Sequence, residues 1–245
     1  MNRFLFDPST VDGDVVPLSE EESRHISRVL RMRQGTEIEL FDGGGAVFQA
    51  VILETGHRVT ARVGRCISKK EIRVKPVWVA QGLLKGKKMD MVVQKCTELG
   101  AARFSSFVSS RCQGKLDKVQ NRKRQERWQR ITIAACKQCM RRSLMDLDEI
   151  VSFSDLLELC GMDSNQLRLL FWEEEKDTGL ADLPSFDQFD SVCLILGPEG
   201  GLTVEEVELA RSRGWRTVTL GERILRAETA NLSAVSIIQY LAGNV

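Results

Sequence analysis

Gly197-Pro198-Glu199-Gly200-Gly201 sets three glycines, a proline and one carboxylate directly after the apolar run 191–196. A tight turn needs one glycine. With no Cβ at Gly197, Gly200 or Gly201, a ligand could lie directly on main chain, whose N–H and C=O groups would read its edges. A plain tight turn is the competing reading. The stretch lacks the G-x-G-x-x-G spacing of a dinucleotide site and the G-K-[ST] of a P-loop, which disfavours both ligands. A second stretch, "LGERILRAETA", is more specific: it places Arg223, Arg226, Glu228 and Thr229 between a short strand and a nearly all-apolar helix. Guanidinium groups beside a carboxylate could stabilise developing negative charge and orient or accept a proton. Arg226 and Glu228 could equally form a structural ion pair that locks the loop.

These residues need strands to carry them. "VWVAQGLL", "FSSFVSS", "LRLLFW", "SVCLIL" and "RTVTL" read as strands, alternating with helices at "KKMDMVVQKCTELGA", 117–140, "TVEEVELARSRG" and "TANLSAVSIIQYLAG". Such alternation predicts a mainly parallel sheet covered on both faces, with ligands bound beyond the carboxyl ends of its strands. Three of those ends carry the unusual residues: "LLFWEEE" at 169–175, 194–201 and 219–231. Thr203 and Glu206 have the spacing of a capping box, so the helix should begin just past the glycines. The first ~70 residues instead alternate short apolar strands and turns, an all-β pattern. One helix interrupts it, "SEEESRHISRVLRM", with Ser19 and Glu22 at capping-box spacing. Asp42-Gly43-Gly44-Gly45 lies between two of the strands and reads as a hairpin turn. Two domains are expected, 1–72 and 73–245, with the boundary near the charged stretch ending at Pro76.

Seven irregularly spaced cysteines, with no secretory segment at the start, argue for reduced thiols. Cys136 and Cys139 form a lone CxxC within a helical pattern, and only His25 and His57 could join them, so no metal site is expected. No run approaches the ~18 apolar residues of a membrane span. A cytoplasmic protein is expected. Charge is strongly segregated. Residues 62–88 hold nine Lys/Arg against one acid and 111–142 hold eleven against two, whereas 143–210 hold seventeen acids and two bases. Clustered basic residues fit a polyanion such as nucleic acid, although any one run could be a solvated helix face.

"LGPEGGLTVEE" followed by "LGERILRAETANLSA" resembles the C-terminal signature of the RsmE family, methyltransferases that modify a uridine N3 in small-subunit ribosomal RNA. "HISRVLRMRQGTEIELFDGGGAVFQA", "SSRCQGK" and "ERWQRITIAACKQCMRR" extend the resemblance along the chain. It implies an α/β fold with an N-terminal PUA-like β-barrel and a C-terminal trefoil-knotted SPOUT domain, working as a homodimer on 16S ribosomal RNA. S-adenosylmethionine would sit in three loops: Phe171, Trp172 and Glu173; Leu196, Gly197, Pro198, Glu199, Gly200 and Gly201; and Leu220, Gly221, Ile224 and Leu225 with Arg226 and Thr229. Main chain around Leu220, Gly221, Ile224 and Leu225 would meet the adenine. Arg223, Arg226 and Glu228 become the catalytic candidates. Arg3, His25, Arg28, Arg31, Arg33, Arg111, Lys115 and Arg141 would track phosphates while a flipped-out base enters the pocket. For His25, packing against its own helix is the alternative. The sequence departs from the family pattern at Glu222, Ala227, Lys137, Cys139 and Met140. The last helix, apolar on most faces, needs a cover, from this subunit or from a second copy.

Overall fold

A computed structural model describes residues 2–68, 75–112, 117–161 and 165–245, and within it the chain forms two compact units. The expected boundary at 72/73 lies outside the described residues.

The first unit is built on five strands: β1 (Arg3–Leu5), β2 (Val15–Pro17), β3 (Glu37–Phe41), β4 (Val47–Glu54) and β5 (Thr60–Ser68). They form one sheet in the order β1-β3-β4-β5-β2. Its core gathers Phe4, Phe6, Val16, Leu18, Ile26, Ile38, Leu40 and Ile52. The glycine run is the expected hairpin turn. Asp42 Oδ1 accepts the N–H of Gly44 at 2.8 Å and of Ala46 at 3.0 Å, while Phe41 pairs with Val47.

The expected helix at 19–32 is shorter and irregular. Helix α1 (Glu20–Arg24) gives way to one wider π-type turn over His25–Val29, and Arg31 takes a left-handed φ of 50°. The capping box there is half made. Ser19 Oγ accepts from Glu22 N, but both Glu22 oxygens face Lys137 Nζ at 2.9 Å. Lys137 can reach Glu22 because Ile133–Leu144 packs with the first unit. Cys136 is buried there with Phe41 and Val47.

The second unit carries β6 (Val77–Gly82), α2 (Lys87–Glu98), β7 (Arg103–Val108), most of α3 (Lys118–Cys139), β8 (Asp146–Leu147), β9 (Val151–Ser152) and α4 (Phe153–Cys160). The chain continues through β10 (Gln166–Phe171), β11 (Ser191–Leu196), α5 (Val204–Ser212), β12 (Arg216–Val218) and α6 (Ala227–Leu241). Every strand pair in its sheet is parallel, in the order β12-β10-β11-β6-β7-β8, with β9 also pairing β7.

Alternation along the buried strands divides the core between two faces. Val77, Val79, Leu169 and Leu194 pack with Met89, Val92, Val93 and Cys96 of α2, Trp128 of α3, and Ala234, Val235 and Ile238 of α6. Trp78, Ala80, Leu170 and Ile195 pack with Phe153, Leu156 and Leu157 of α4 and Val207 and Ala210 of α5. Each large aliphatic chain so buried is worth ~1.5–3 kcal/mol against leaving it exposed. Sequence reading leads to no element over 143–165, yet β8, β9 and α4 lie there; the two-residue strands are too short to show a period.

One buried carboxylate fixes the loop that leaves β10. Glu175 Oε1 accepts the N–H groups of Lys176, Asp177 and Thr178 at 3.0–3.2 Å, and Oε2 meets the Thr217 hydroxyl and Arg211 at 3.1 Å. Chiefly through the Thr217 hydroxyl, with the Asp177 and Thr178 N–H groups and Arg211 adding, its pKa falls to about 2 against the opposing effect of burial. A depressed carboxylate pKa stabilises the fold fully above its unfolded value of 4.5 and progressively less as pH falls towards 2. Glu175→Gln should therefore lose ~1–3 kcal/mol of unfolding free energy at pH 7. In urea titrations the gap to wild type should close between pH 5 and about 2. A gap independent of pH would contradict this origin.

Candidate active site

Beyond the carboxyl ends of β10, β11 and β12 lies a cavity of about 390 Å³, the size of a small-molecule site. From the β10 end come Phe171, Trp172 and Glu173; from β11, Leu196, Gly197, Pro198, Glu199 and Gly201; from β12, Leu220, Gly221, Arg223, Ile224, Leu225 and Arg226. Gly200 is absent from the lining: its open side faces Arg111, whose guanidinium donates to the Gly200 carbonyl at 3.2 Å. Thr229 lies exposed in the first turn of α6 and does not line the cavity. Lys88, Thr219, Glu222, Ala227 and Ala230 also line it, though none was expected from sequence among the cofactor-binding or catalytic residues.

The loops are held by close main-chain packing and by a chain of buried amides. The turn closes through Gly201 N on the Pro198 carbonyl at 2.9 Å, with Gly201 at φ 71° and Glu173 packed against its Cα. At the end of β6, a methyl group on Gly82 would come within 2.6 Å of Pro198 N and Cδ. Glycine is thus required there for close approach. Just behind, Gln81 Nε2 donates to the Gly197 carbonyl at 2.9 Å, Asn231 Nδ2 donates to Gln81 Oε1 at 2.8 Å, and Cys96 Sγ donates to Asn231 Oδ1 at 3.2 Å. Gln81, Asn231 and Cys96 are fully buried, and burial pushes the Cys96 thiol pKa well up. The capping box forms as expected: Thr203 and Glu206 exchange bonds of 3.3 and 2.9 Å, while Glu206 Oε1 takes the Ser110 N–H at 2.8 Å.

The third loop keeps main chain available. Among the described residues, the N–H groups of Leu220, Ile224 and Leu225 donate no hydrogen bond within the fold. Gly221, at φ 103°, turns its open side to space with no protein atom within 4 Å.

Charge in the cavity is mixed. Lys88 Nζ, from the first turn of α2, sits 3.5 Å from Glu199 Oε1 and 3.3 Å from Glu228 Oε2. Glu228 is held below the usual carboxylate range, first by its own N–H at the start of α6 and then by Lys88 and Arg226, against a smaller rise from burial. The Arg226–Glu228 ion pair weighed from sequence does not form. Glu228 faces Lys88, and among the described residues Arg226 has no ion-pair partner within 4 Å. Lys88 was counted in a basic run but could not be placed, because its partners are more than a hundred residues away.

The residues expected to follow phosphates have different surroundings. Arg28, Arg31 and Arg33 are exposed on and after the π-type turn, and Arg111 is exposed beside Gly200. His25 is half-buried, edge-on to Phe4 at 6.0 Å. Arg3 is only 7% exposed: it pairs with Glu39 at 2.7 Å and donates to the Met140 and Arg141 carbonyls. Its donors are thus satisfied within the first unit, where the Arg141 carbonyl serves as acceptor. Lys115 lies outside the described residues.

A family model described as "RNA methyltransferase domain" matches residues 70–239, and one described as "RNA methyltransferase PUA domain" matches 18–64. The Bacillus subtilis protein named ribosomal RNA small subunit methyltransferase E is 34% identical over 98% of this chain and 96% of its own length. A crystal structure of ribosomal RNA small subunit methyltransferase E from Neisseria gonorrhoeae, bound to S-adenosyl methionine, superposes with a TM-score of 0.88 at 31% identity, covering 98% of each chain. A Legionella pneumophila protein solved with the bound cofactor SAM gives 0.89 at 32% identity, covering 97% of this chain and 96% of its own.

Removing one member of the amide chain strands the others in a dry interior. Gln81→Leu should cost ~1–3 kcal/mol in urea unfolding, and Gln81→Leu with Asn231→Leu should cost less than the sum of the singles. Strict additivity would show that the two amides do not act together.

Proposed function

From the premise that this chain belongs to the RNA methyltransferase family, with its relatives named ribosomal RNA small subunit methyltransferase E, we propose that it transfers a methyl group from S-adenosylmethionine to N3 of a uridine in 16S ribosomal RNA. The observation that carries this reading is the cavity at the ends of β10, β11 and β12, walled by main chain and by both signs of charge.

The residues present suit such a cofactor. Phe171, Leu196, Leu220 and Leu225 offer apolar contact to a purine, and the available N–H groups at Leu220, Ile224 and Leu225 can read its edge. Glu173, Glu199 and Glu222 supply negative charge for a cationic ligand. Bound there, S-adenosylmethionine supplies a methyl group activated on a sulfonium.

Uridine N3 carries a proton at neutral pH and becomes nucleophilic once that proton leaves. The resulting anion spreads over N3 and the two carbonyl oxygens. Arg226, exposed at the cavity wall, and Lys88, steadied by two carboxylates, are the cations suited to stabilise it. Glu228 is a poor acceptor for the N3 proton, since its own N–H and Lys88 hold it ionised. Its role is to hold Lys88, and the N3 proton passes to solvent. Arg28, Arg31, Arg33 and Arg111 are proposed to contact phosphate, with Arg141 and Lys115 as further candidates. Arg3, and His25 packed on Phe4, serve the first unit's structure.

The domain division at 72/73 and the trefoil knot in the second unit belong to the same proposal. Support for the knot is that α6 follows edge strand β12 yet buries Asn231 against Gln81 on the interior strand β6. We further propose a homodimer acting in the cytoplasm. This subunit covers Ala234, Val235 and Ile238 of α6, but Tyr240 remains 71% exposed and Ile224 86%. Sedimentation at micromolar concentration should give twice the chain mass; a monomer would remove the dimer from the proposal.

Calorimetry with S-adenosylmethionine, followed by nucleoside mass spectrometry of small-subunit RNA methylated in vitro, tests the activity. Arg226→Ala should lower kcat/KM by ~10²-fold with cofactor Kd nearly unchanged. The wild-type rate should rise with pH without an inflection from Glu228 between pH 5 and 9. An enzyme that binds RNA but no S-adenosylmethionine would end this reading in favour of a non-catalytic RNA-binding protein.

A further inference from the structure

Next to the cofactor cavity the second unit has another depression, of about 570 Å³. Its apolar floor is Leu83, Leu84, Met89 and Trp128, each at most 8% exposed. Around that floor stand Lys85 and Lys87 from the approach to α2, and Arg124 and Arg127 from α3. Asp90, which also lines it, is already neutralised by a two-pronged pair with Arg127 at 2.5–3.0 Å. Arg124 reaches only the Asn121 side-chain oxygen at 3.3 Å, and among the described residues the Lys85 and Lys87 ammonium groups have no ion-pair partner. Three cations thus converge on a concave surface where, among the described residues, Asp90 is the one acid and is already paired with Arg127.

The two cavities share a wall. Lys85, Gly86 and Lys87 face this depression, while the next residue, Lys88, lines the cofactor cavity. The wall is braced from the catalytic side, where Glu199 Oε1 accepts the Lys85 N–H at 3.1 Å. A strand that places one nucleotide over Lys88 therefore has its adjoining backbone within reach of Lys85 and Lys87.

We propose that this depression binds backbone phosphate of the RNA substrate beside the nucleotide being methylated, with Lys85, Lys87 and Arg124 as the contacts and the apolar floor under the adjoining ribose. The proposal rests on the RNA methyltransferase reading and adds a subsite to it. Unpaired cations over an apolar floor suit a sugar–phosphate chain, which presents negative charge and apolar ribose faces in alternation.

The test compares wild type with two triple variants that each remove three positive charges. Lys85→Gln/Lys87→Gln/Arg124→Gln alters the depression; Lys118→Gln/Lys123→Gln/Arg130→Gln alters α3 outside it. Affinity for small-subunit ribosomal RNA is read directly by fluorescence anisotropy over a salt series, and S-adenosylmethionine affinity by calorimetry. The first triple should bind RNA at least ~10-fold more weakly and flatten the log–log salt slope by roughly 2, as expected for three lost single-strand phosphate contacts. Its cofactor Kd should match wild type, which also reports that it is folded. The second triple should stay within ~3-fold of wild type in RNA affinity. Equal RNA affinity in the first triple and wild type, or equal losses in both triples, would overturn the subsite. Failure of wild type to bind S-adenosylmethionine would instead overturn the methyltransferase reading, because the RNA measurement does not depend on it.

Discussion

Three elements far apart in the chain meet at two side-chain amides. Gln81 on interior strand β6 is hydrogen-bonded to Asn231 on the last helix and to the Gly197 carbonyl at the exit of β11. Both amides are fully buried, so each group left unpaired would carry the full desolvation cost, and water cannot relieve it. The geometry is consequently all or nothing: either α6 and the Gly197 loop are both in register with β6, or several polar groups are stranded. The cavity inherits its shape from that condition, because its second and third walls are the segments so fixed.

Other walls are fixed by charge. Glu175 gathers three successive N–H groups and Arg211 behind Trp172 and Glu173, and Glu206 bridges the start of α5 to Ser110. Both carboxylates sit where main chain presents donors that would otherwise lack acceptors, a low-cost way to hold a loop still. Glu199 and Glu228 do something different. They surround Lys88 without fully burying it, which leaves a steadied cation facing the cavity.

Much of this was legible in the sequence because it is written locally. The glycine-proline run, the Thr203–Glu206 cap, the Asp42 hairpin and the alternation of buried strands all depend on residues within a few positions of one another. Most residues expected in the three loops do line one cavity, since strand ends in a parallel sheet must emerge on the same side. What stayed hidden is long-range. Lys88 has its meaning from Glu199 and Glu228, Gln81 from Asn231, and Arg3 from Glu39 and the carbonyls at 140 and 141. Lys137 reads as one more charge in a basic helix until the fold delivers Glu22 to it. The helix expected at 19–32 starts where its Ser19 cap places it but turns π-type over His25–Val29, and Glu22 answers to Lys137 rather than to its own cap.

Gly82 and Pro198 carry a consequence for how this chain can vary. Every single-base change of a glycine codon that alters the residue adds at least one carbon, and at position 82 that carbon would land on the Pro198 ring and nitrogen. The ring is in turn anchored by the turn it begins, with the Pro198 carbonyl bonded to Gly201. Position 82 therefore cannot gain a side chain while the loop keeps its present backbone path, which ties strand β6 to the loop beside it. On the exposed rim, by contrast, side chains can change without displacing backbone.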